Sequence, residues 1–295
     1  MYELIHAVGN TYYINCPAKM GVYREADNGV WLIDSGNDKE AGKKVFKILA
    51  AQGWNLRAIL NTHSNADHIG GNRILQERTG CPIYVSGMEC GFVNHPLLEP
   101  SFLYGGYPLN ALRNKFLMAQ PSSAHPLSEA KLPAGMEILP LPGHFFEMVG
   151  FRTPDGVCFL ADCLSSANVL EKYHVSFLYD VAAYLQTLND IQRLRAELFV
   201  PAHAEVCAEI APLAERNRAK VEEILRLLCF CCEQPHSFEE ILKMVFDHYG
   251  LTMDMNQYVL IGSTIRSYLS YLCGEEQLQI IFSENRMLWS HPVSA

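Results

Sequence analysis

Residues 61–72 read NTHSNADHIGGN, and this stretch decides what kind of fold the chain makes. It closes the apolar run RAIL with two histidines and an aspartate, His63, Asp67 and His68, inside six positions, and sets Asn65 between them. At an extended strand end His63 and Asn65, two apart, point the same way. Asp67 and His68 fall at the turn into the helical pattern IGGNRILQERTG and face back over the strand edge. Imidazole and carboxylate are the donors of zinc sites, and a catalytic zinc keeps about three protein ligands with one position open to water. Loops beyond strand ends are where layered folds build such sites.

The same grammar recurs along the chain. ILPLPGH ends on His144, VCFLAD on Asp162, LFVPAH on His203 and, upstream, VWLID on Asp34 just before Ser35 and Gly36. One strand ending in His or Asp is commonly a satisfied structural group. Five in one chain, one of them a dense cluster, point to a shared site. His6, His95, His125, His174, His236, His248 and His291 lie outside this pattern and read as surface or satisfied residues.

Strand and helix patterns alternate between these ends. MGVYREADNGVWLIDSG reads as a hairpin around DNG, DKEAGKKVFKILAAQG as a helix stopped by Gly53, and VGFRTPDGVCFLAD as a hairpin around PDG. Residues 90–134, with six prolines, show no clear period. A stretch this long reads as a lid over the site or as a homodimer contact; as a lid, it offers Tyr104, Tyr107, Arg113 or Lys115 to an anionic substrate. After about residue 210 three helices and a terminal hairpin follow, SFEEILKMVFDHYG among them with an S-x-x-E capping box. The division expected is a main domain over 1–210 and a small winged-helix-like α+β domain over 211–295.

Composition narrows the function classes. The 295 residues are 49% hydrophobic and 19% charged, with net charge −9. From residue 216 on, seven Lys and Arg face ten Asp and Glu. Phosphate-backbone binding needs clustered cations, so the balance argues against nucleic acid as the main partner. No apolar run approaches the length of a membrane span, and MYELIHAVGN has neither the basic nor the apolar region of a secretory signal, so a cytoplasmic enzyme is expected. The ten cysteines read as reduced, mostly buried thiols.

The order LIDSG, H-x-N-x-D-H, PGH, AD, PAH resembles the metallo-β-lactamase superfamily, over about residues 2–210. That group includes glyoxalase II-type thioesterases, lactonases and RNA-cleaving nucleases; the C-terminal part resembles the extension of its endoribonucleases. The resemblance implies an α/β fold, an αββα sandwich of two facing sheets with helices outside and the metal site at one sheet edge. It implies that His63 and His144 bind a first metal, with Asn65 where the family has a middle histidine. Asp67, His68 and His203 would bind the second, Asp162 would bridge both, and Asp34 would support the ligands from behind.

An amide oxygen suits hard cations better than zinc, so Asn65 weakens the first position without removing it. The cofactor expected is one or two Zn2+, with iron or manganese compatible with the same donors. The function expected is hydrolysis of a small-molecule ester or thioester by a metal-bound hydroxide, Asp67 steering the nucleophile. RNA cleavage is the first alternative. The second is a mononuclear iron enzyme on His63, His144 and Asp162, as in persulfide dioxygenases of the superfamily. A degenerate, non-catalytic binding module is the third.

Overall fold

The computed structural model describes residues 2–292. Seven strands form the first sheet in sequential order: β1 (Glu3–Val8), β2 (Thr11–Asn15), β3 (Met20–Arg24), β4 (Gly29–Ile33), β5 (Asn55–Leu60), β6 (Ile83–Val85) and β7 (Ala124–Pro126). β1 to β4 pair antiparallel as hairpins, and every later junction is parallel. The connections carry helices α1 (Lys39–Ala51), α2 (Ala66–Ile69), α3 (Asn72–Thr79), α4 (Glu89–Asn94) and α5 (Leu98–Tyr104). The second sheet runs β11-β10-β9-β8, from β8 (Glu137–Pro140), β9 (Val149–Arg152), β10 (Val157–Ser165) and β11 (Leu198–His203). Outside it lie α6 (Ala167–Tyr173), α7 (Val181–Ile191) and α8 (Ala211–Cys231).

The two-residue period of strands explains the layering. All five residues of β4 are buried: Trp31 and Ile33 face the other sheet, where they join Phe151, Val157, Phe159 and Val200, while Val30 and Leu32 face Val45 and Leu49 of α1. β10 does the same on its side, Val157 and Phe159 inward, Cys158 and Leu160 outward against Tyr184 and Leu188 of α7. A strand buried on both faces reads as a continuous apolar run, which is how VWLI and VCFL appear. The outcome is helix, sheet, sheet, helix, the expected α/β sandwich.

Beyond α8 come β12 (His236–Ser237), α9 (Phe238–Tyr249), α10 (Met255–Gly274), β13 (Gln279–Ser283) and β14 (Arg286–Ser290), the strands pairing in the order β12-β14-β13. The Ser237–Glu240 capping box starts α9, and Gly250 in the left-handed region ends it. One apolar cluster runs from β10 and α7 through Val221, Ile224 and Leu228 of α8 into Leu242 of α9 and Ile265 and Tyr268 of α10. The helix that begins near residue 211 thus serves both the sandwich and the C-terminal unit.

Residues 90–134 are more ordered than their sequence suggests. α5 lies within the stretch, α4 starts just before it, and two 3-10 turns and β7 follow. Pro100 sits in the first turn of α5, where its missing N–H has no partner to lose. Leu103, Leu112 and Leu117 pack with Val259 of α10, and Asn114 bonds Asn256 at 3.1 Å. The segment is held between the sandwich and the C-terminal helices. No helix among the described residues is long and apolar enough to cross a membrane.

Candidate metal centre

The strand ends of both sheets meet at one edge. Asp34 follows β4 with φ +62, a left-handed turn that aspartate tolerates better than most residues. Asn61, Thr62 and His63 follow β5 and are fully buried, and α2 then carries Asp67 and His68. Gly70 and Gly71 bring the start of α3 against the backbone of Asn37 and Ser35, so closely that a Cβ at either would collide with main chain. His144 leaves β8 through Gly143, whose φ of +120 and contact with the Tyr184 backbone suit only glycine. Asp162 sits in β10 directly after Ala161, where the register with β11 shifts and φ is +48. His203 is the last residue of β11.

These residues fall into two groups that share one member. Asp67, His68, Asp162 and His203 form the first, and His63, His144 and Asp162 the second, the donor atoms of each within 4.8 Å of one another. Asp162 Oδ1 is 2.9 Å from His68 Nε2, and its Oδ2 is 3.2 Å from His203 Nε2 and 3.7 Å from His144 Nε2. Asn65 precedes α2 at the N-cap position but makes no cap bond. Its Oδ1 lies 3.1 Å from His144 Nε2 instead.

The outward nitrogens show what the rings are held for. His68 Nδ1 faces Asp34 Oδ2 at 2.8 Å, and His63 Nδ1 the Thr62 hydroxyl at 3.0 Å. His144 Nδ1 meets the Phe177 carbonyl at 3.0 Å, and His203 Nδ1 the Pro17 carbonyl at 3.1 Å. All four rings point Nε2 inward with Nδ1 anchored, the arrangement that fixes the tautomer of a metal-ligating histidine. His63 Nε2, His68 Nε2 and Asp162 Oδ1 are buried without an aligned hydrogen-bond partner. Buried polar atoms left so are uncommon and call for a partner of another kind. A cation fits these donors.

Charge follows the same geometry. Burial, aided by the charge on His68, keeps His63 well below the usual histidine range, and burial lowers His144, so both stand as neutral donors. Burial opposes the charged forms of His68 and His203 too, but the carboxylates around them win. Asp162, Asp67 and Asp34 raise His68, while Asp162 and Asp67 push His203 up to about 10. Against burial, His68 and His203 in turn hold Asp67 and Asp162 below the usual carboxylate range. Asp67 is the most exposed of the set, with 40% of its side chain open to solvent, so the centre opens on that side.

Two acids that sequence reading passed over brace the motif. Glu89 of α4, fully buried, accepts from the Ser64 N–H at 3.0 Å, from the Ser64 hydroxyl, and from the Glu147 N–H at 3.0 Å. Glu99 of α5, also buried, accepts from Asn65 Nδ2 at 2.8 Å. Nothing in the local pattern separates either from a solvated surface acid. Ser35 and Ser64 are committed to the scaffold: Ser35 donates to the His68 carbonyl and accepts from the Gly71 N–H, and Ser64 is held by Glu89.

Glu89 gives a pH test of stability. Burial outweighs its three hydrogen bonds and raises it to about 7. The folded protein therefore holds this proton longer than the unfolded chain. Stability contributed by the site is greatest below the ordinary glutamate range and falls as pH rises, levelling off above about 7. The span corresponds to about 3 kcal/mol. Unfolding free energies from urea titration are expected to fall between pH 5 and pH 8 by most of that amount more in the wild type than in Glu89→Gln; parallel profiles would contradict it.

The other expectations sort simply. Cys163 is fully buried and faces the outer apolar cluster, away from Asp162 by strand alternation. All ten cysteines are free. Lys115 pairs with Asp38 at 3.3 Å, and Arg113 bonds the Tyr107 hydroxyl at 3.0 Å. His6, His236 and His291 bond backbone carbonyls, and His174 stacks on Tyr249.

Comparison with known proteins settles the ancestry of this edge. The model of the metallo-beta-lactamase superfamily matches residues 14–203. The chain belongs to that superfamily. Its members' hydrolase names recur among its relatives, and it is an enzyme of that kind, with a centre built for metal. A hydroxyacylglutathione hydrolase of Methylococcus capsulatus is 44% identical over 46 residues, 16% of this chain and 18% of that protein. A probable metallo-hydrolase of Bacillus subtilis, YybB, is 26% identical over 213 residues, 68% of this chain and 88% of that one. The crystal structure of a beta-lactamase domain protein from Burkholderia ambifaria superposes with TM-score 0.75 and 17% identity, covering 98% of this chain and 94% of its own. That likeness is one of fold, and it takes in the C-terminal unit.

Proposed function

We propose that this superfamily member is a zinc hydrolase of small-molecule esters or thioesters. The observation that carries the reading is the set of four anchored imidazoles turned inward on Asp162. Histidine with carboxylate suits zinc, with iron or manganese as competitors for the same donors. Bound there, the metal supplies Lewis acidity, polarising a carbonyl and activating water. The chain does the rest. His68, His203, Asp67 and Asp162 would hold one cation, His63, His144 and Asp162 with the Asn65 amide would hold a second more weakly, and Asp67 Oδ, on the open side, would steer the attacking water by accepting a hydrogen bond from it.

The C-terminal unit follows the helix, strand, helix, helix, strand, strand order of a winged helix, and we read it as one. In such a unit the third helix is the one that enters a nucleic-acid groove. Here that helix, α10, packs through Val259 on residues 90–134, the cover segment, and through Ile265 and Tyr268 on the shared core. With the acidic balance, this favours a small-molecule substrate over RNA.

Elemental analysis of protein purified without added metal, followed by thioester, lactone and RNA substrates, tests the reading. Zinc with thioester or ester turnover is expected. Protein that retains no metal, or RNA cleavage alone, would defeat it; oxygen consumption with a persulfide would move the assignment to iron chemistry. Asn65→His is expected to raise bound zinc from about one toward two per chain, because it supplies the first position with a third imidazole. An unchanged count would remove the weak-site interpretation.

A further inference from the structure

The geometry points to Glu99 as the residue that aims Asn65, and so as a positioning residue for the weaker metal position; we infer this on the reading just given. The two ends of a side-chain amide have nearly the same shape but opposite hydrogen-bonding character, and only their partners decide which end faces a site. Asn65 has one hydrogen-bond partner here, Glu99, because the His144 ring carries its proton on Nδ1. Its Oδ1 lies toward His144 Nε2 at 3.1 Å and its Nδ2 donates to Glu99 Oε1 at 2.8 Å. The helix end that an N-cap asparagine ordinarily bonds makes no claim on it. Turned over, the amide would set an N–H where a cation needs a lone pair. Glu99 is the acceptor that prevents this.

Glu99 is itself held by its surroundings. It is buried on α5, whose Phe102 packs against Phe145 and Phe146 beside His144 and whose Leu103 packs with Val259 of α10. Glu89, from α4, grips the neighbouring Ser64. The two helices thus each lower one acid onto consecutive residues of the motif. The cover segment thereby takes part in the metal position through Asn65 without supplying a ligand of its own.

A double-mutant cycle on Zn2+ affinity tests this, read by chelator competition on protein whose tighter position is already filled. Glu99→Leu, which removes the acceptor but keeps an apolar side chain suited to burial, is expected to weaken the second Zn2+ by about tenfold, the usual effect of losing an outer partner. Glu99→Gln keeps an acceptor oxygen at the same reach and is expected to restore binding to within about threefold. In an Asn65→Ala background Glu99→Leu is expected to cost nothing further, because no amide remains to be aimed. Wild-type affinity in Glu99→Leu, or an equal loss with and without Asn65, overturns the assignment while leaving the hydrolase reading intact. A wild-type chain that binds no Zn2+ overturns both.

Discussion

Asp162→Ala is expected to empty the His63 position, to loosen metal at the other, which keeps Asp67, His68 and His203, and to lower turnover by about a thousandfold or more, the loss of several kcal/mol of transition-state stabilisation. Asp162 is the one residue common to both donor groups, and its Oδ2 lies near a histidine of each, His203 at 3.2 Å and His144 at 3.7 Å. Removing it leaves the His63 group with two imidazoles and the His68 group with Asp67 as its single acid. His144→Ala touches only one group and is expected to leave about one metal per chain. Elemental analysis beside steady-state rates separates the cases. Asp162→Ala protein that keeps a full metal complement, or that turns over within tenfold of wild type when metal-free, would show that the shared carboxylate is not what joins the groups.

That much of the centre was legible because each donor ends an apolar run of the sequence or follows one within a few residues. Where both faces of a sheet are covered, the strand is a hydrophobic run, and a polar residue that stops it stands at the sheet edge. VWLID, VCFLAD and LFVPAH carry that signal in a few residues each. The sandwich was legible from the same runs and from the turns at Asn28, Gly53, Gly80 and Gly156, all of which adopt positive φ.

The bracing layer was not. Glu89 and Glu99 are acids on helices of six and seven residues, too short to show a period, and their burial comes from what the rest of the chain lays over them. Phe177 and Pro17 anchor their imidazoles through carbonyls, which no side-chain pattern records. The covering of α10 was hidden for a related reason. NQYVLIGSTIRSYLSYLCG is apolar on more than one face, but the sequence does not say that Leu103, Leu112 and Leu117 lie against it. The site's donors are thus local to the strands, while its rigidity belongs to tertiary structure.

Asp34→Asn is expected to lower Zn2+ affinity by about 10- to 100-fold at both positions while the fold survives. Asp34 is buried, and its Oδ1 accepts the Thr62 N–H at 2.8 Å. Its Oδ2 takes the Thr62 hydroxyl proton and faces His68 Nδ1, each at 2.8 Å. Because Thr62 spends its proton on Asp34, its oxygen accepts from His63 Nδ1. Once metal displaces the second proton that His68 carries, this one carboxylate would therefore keep Nε2 of both rings free of hydrogen. In the variant the backbone N–H still requires an oxygen at the Oδ1 position, so the NH2 takes the place of Oδ2. It donates to His68 Nδ1 and sends that ring's proton to Nε2. It also releases the Thr62 hydroxyl to donate to His63, which sends the second proton inward as well. Asparagine tolerates the φ of +62, so melting is expected to shift by only a few degrees. Asp34→Ala lacks that tolerance and leaves three buried groups unpaired, a cost of about 3–5 kcal/mol. A loss confined to the His68 position in Asp34→Asn would break the relay through Thr62, and unchanged Zn2+ affinity at both positions would refute the tautomer mechanism outright.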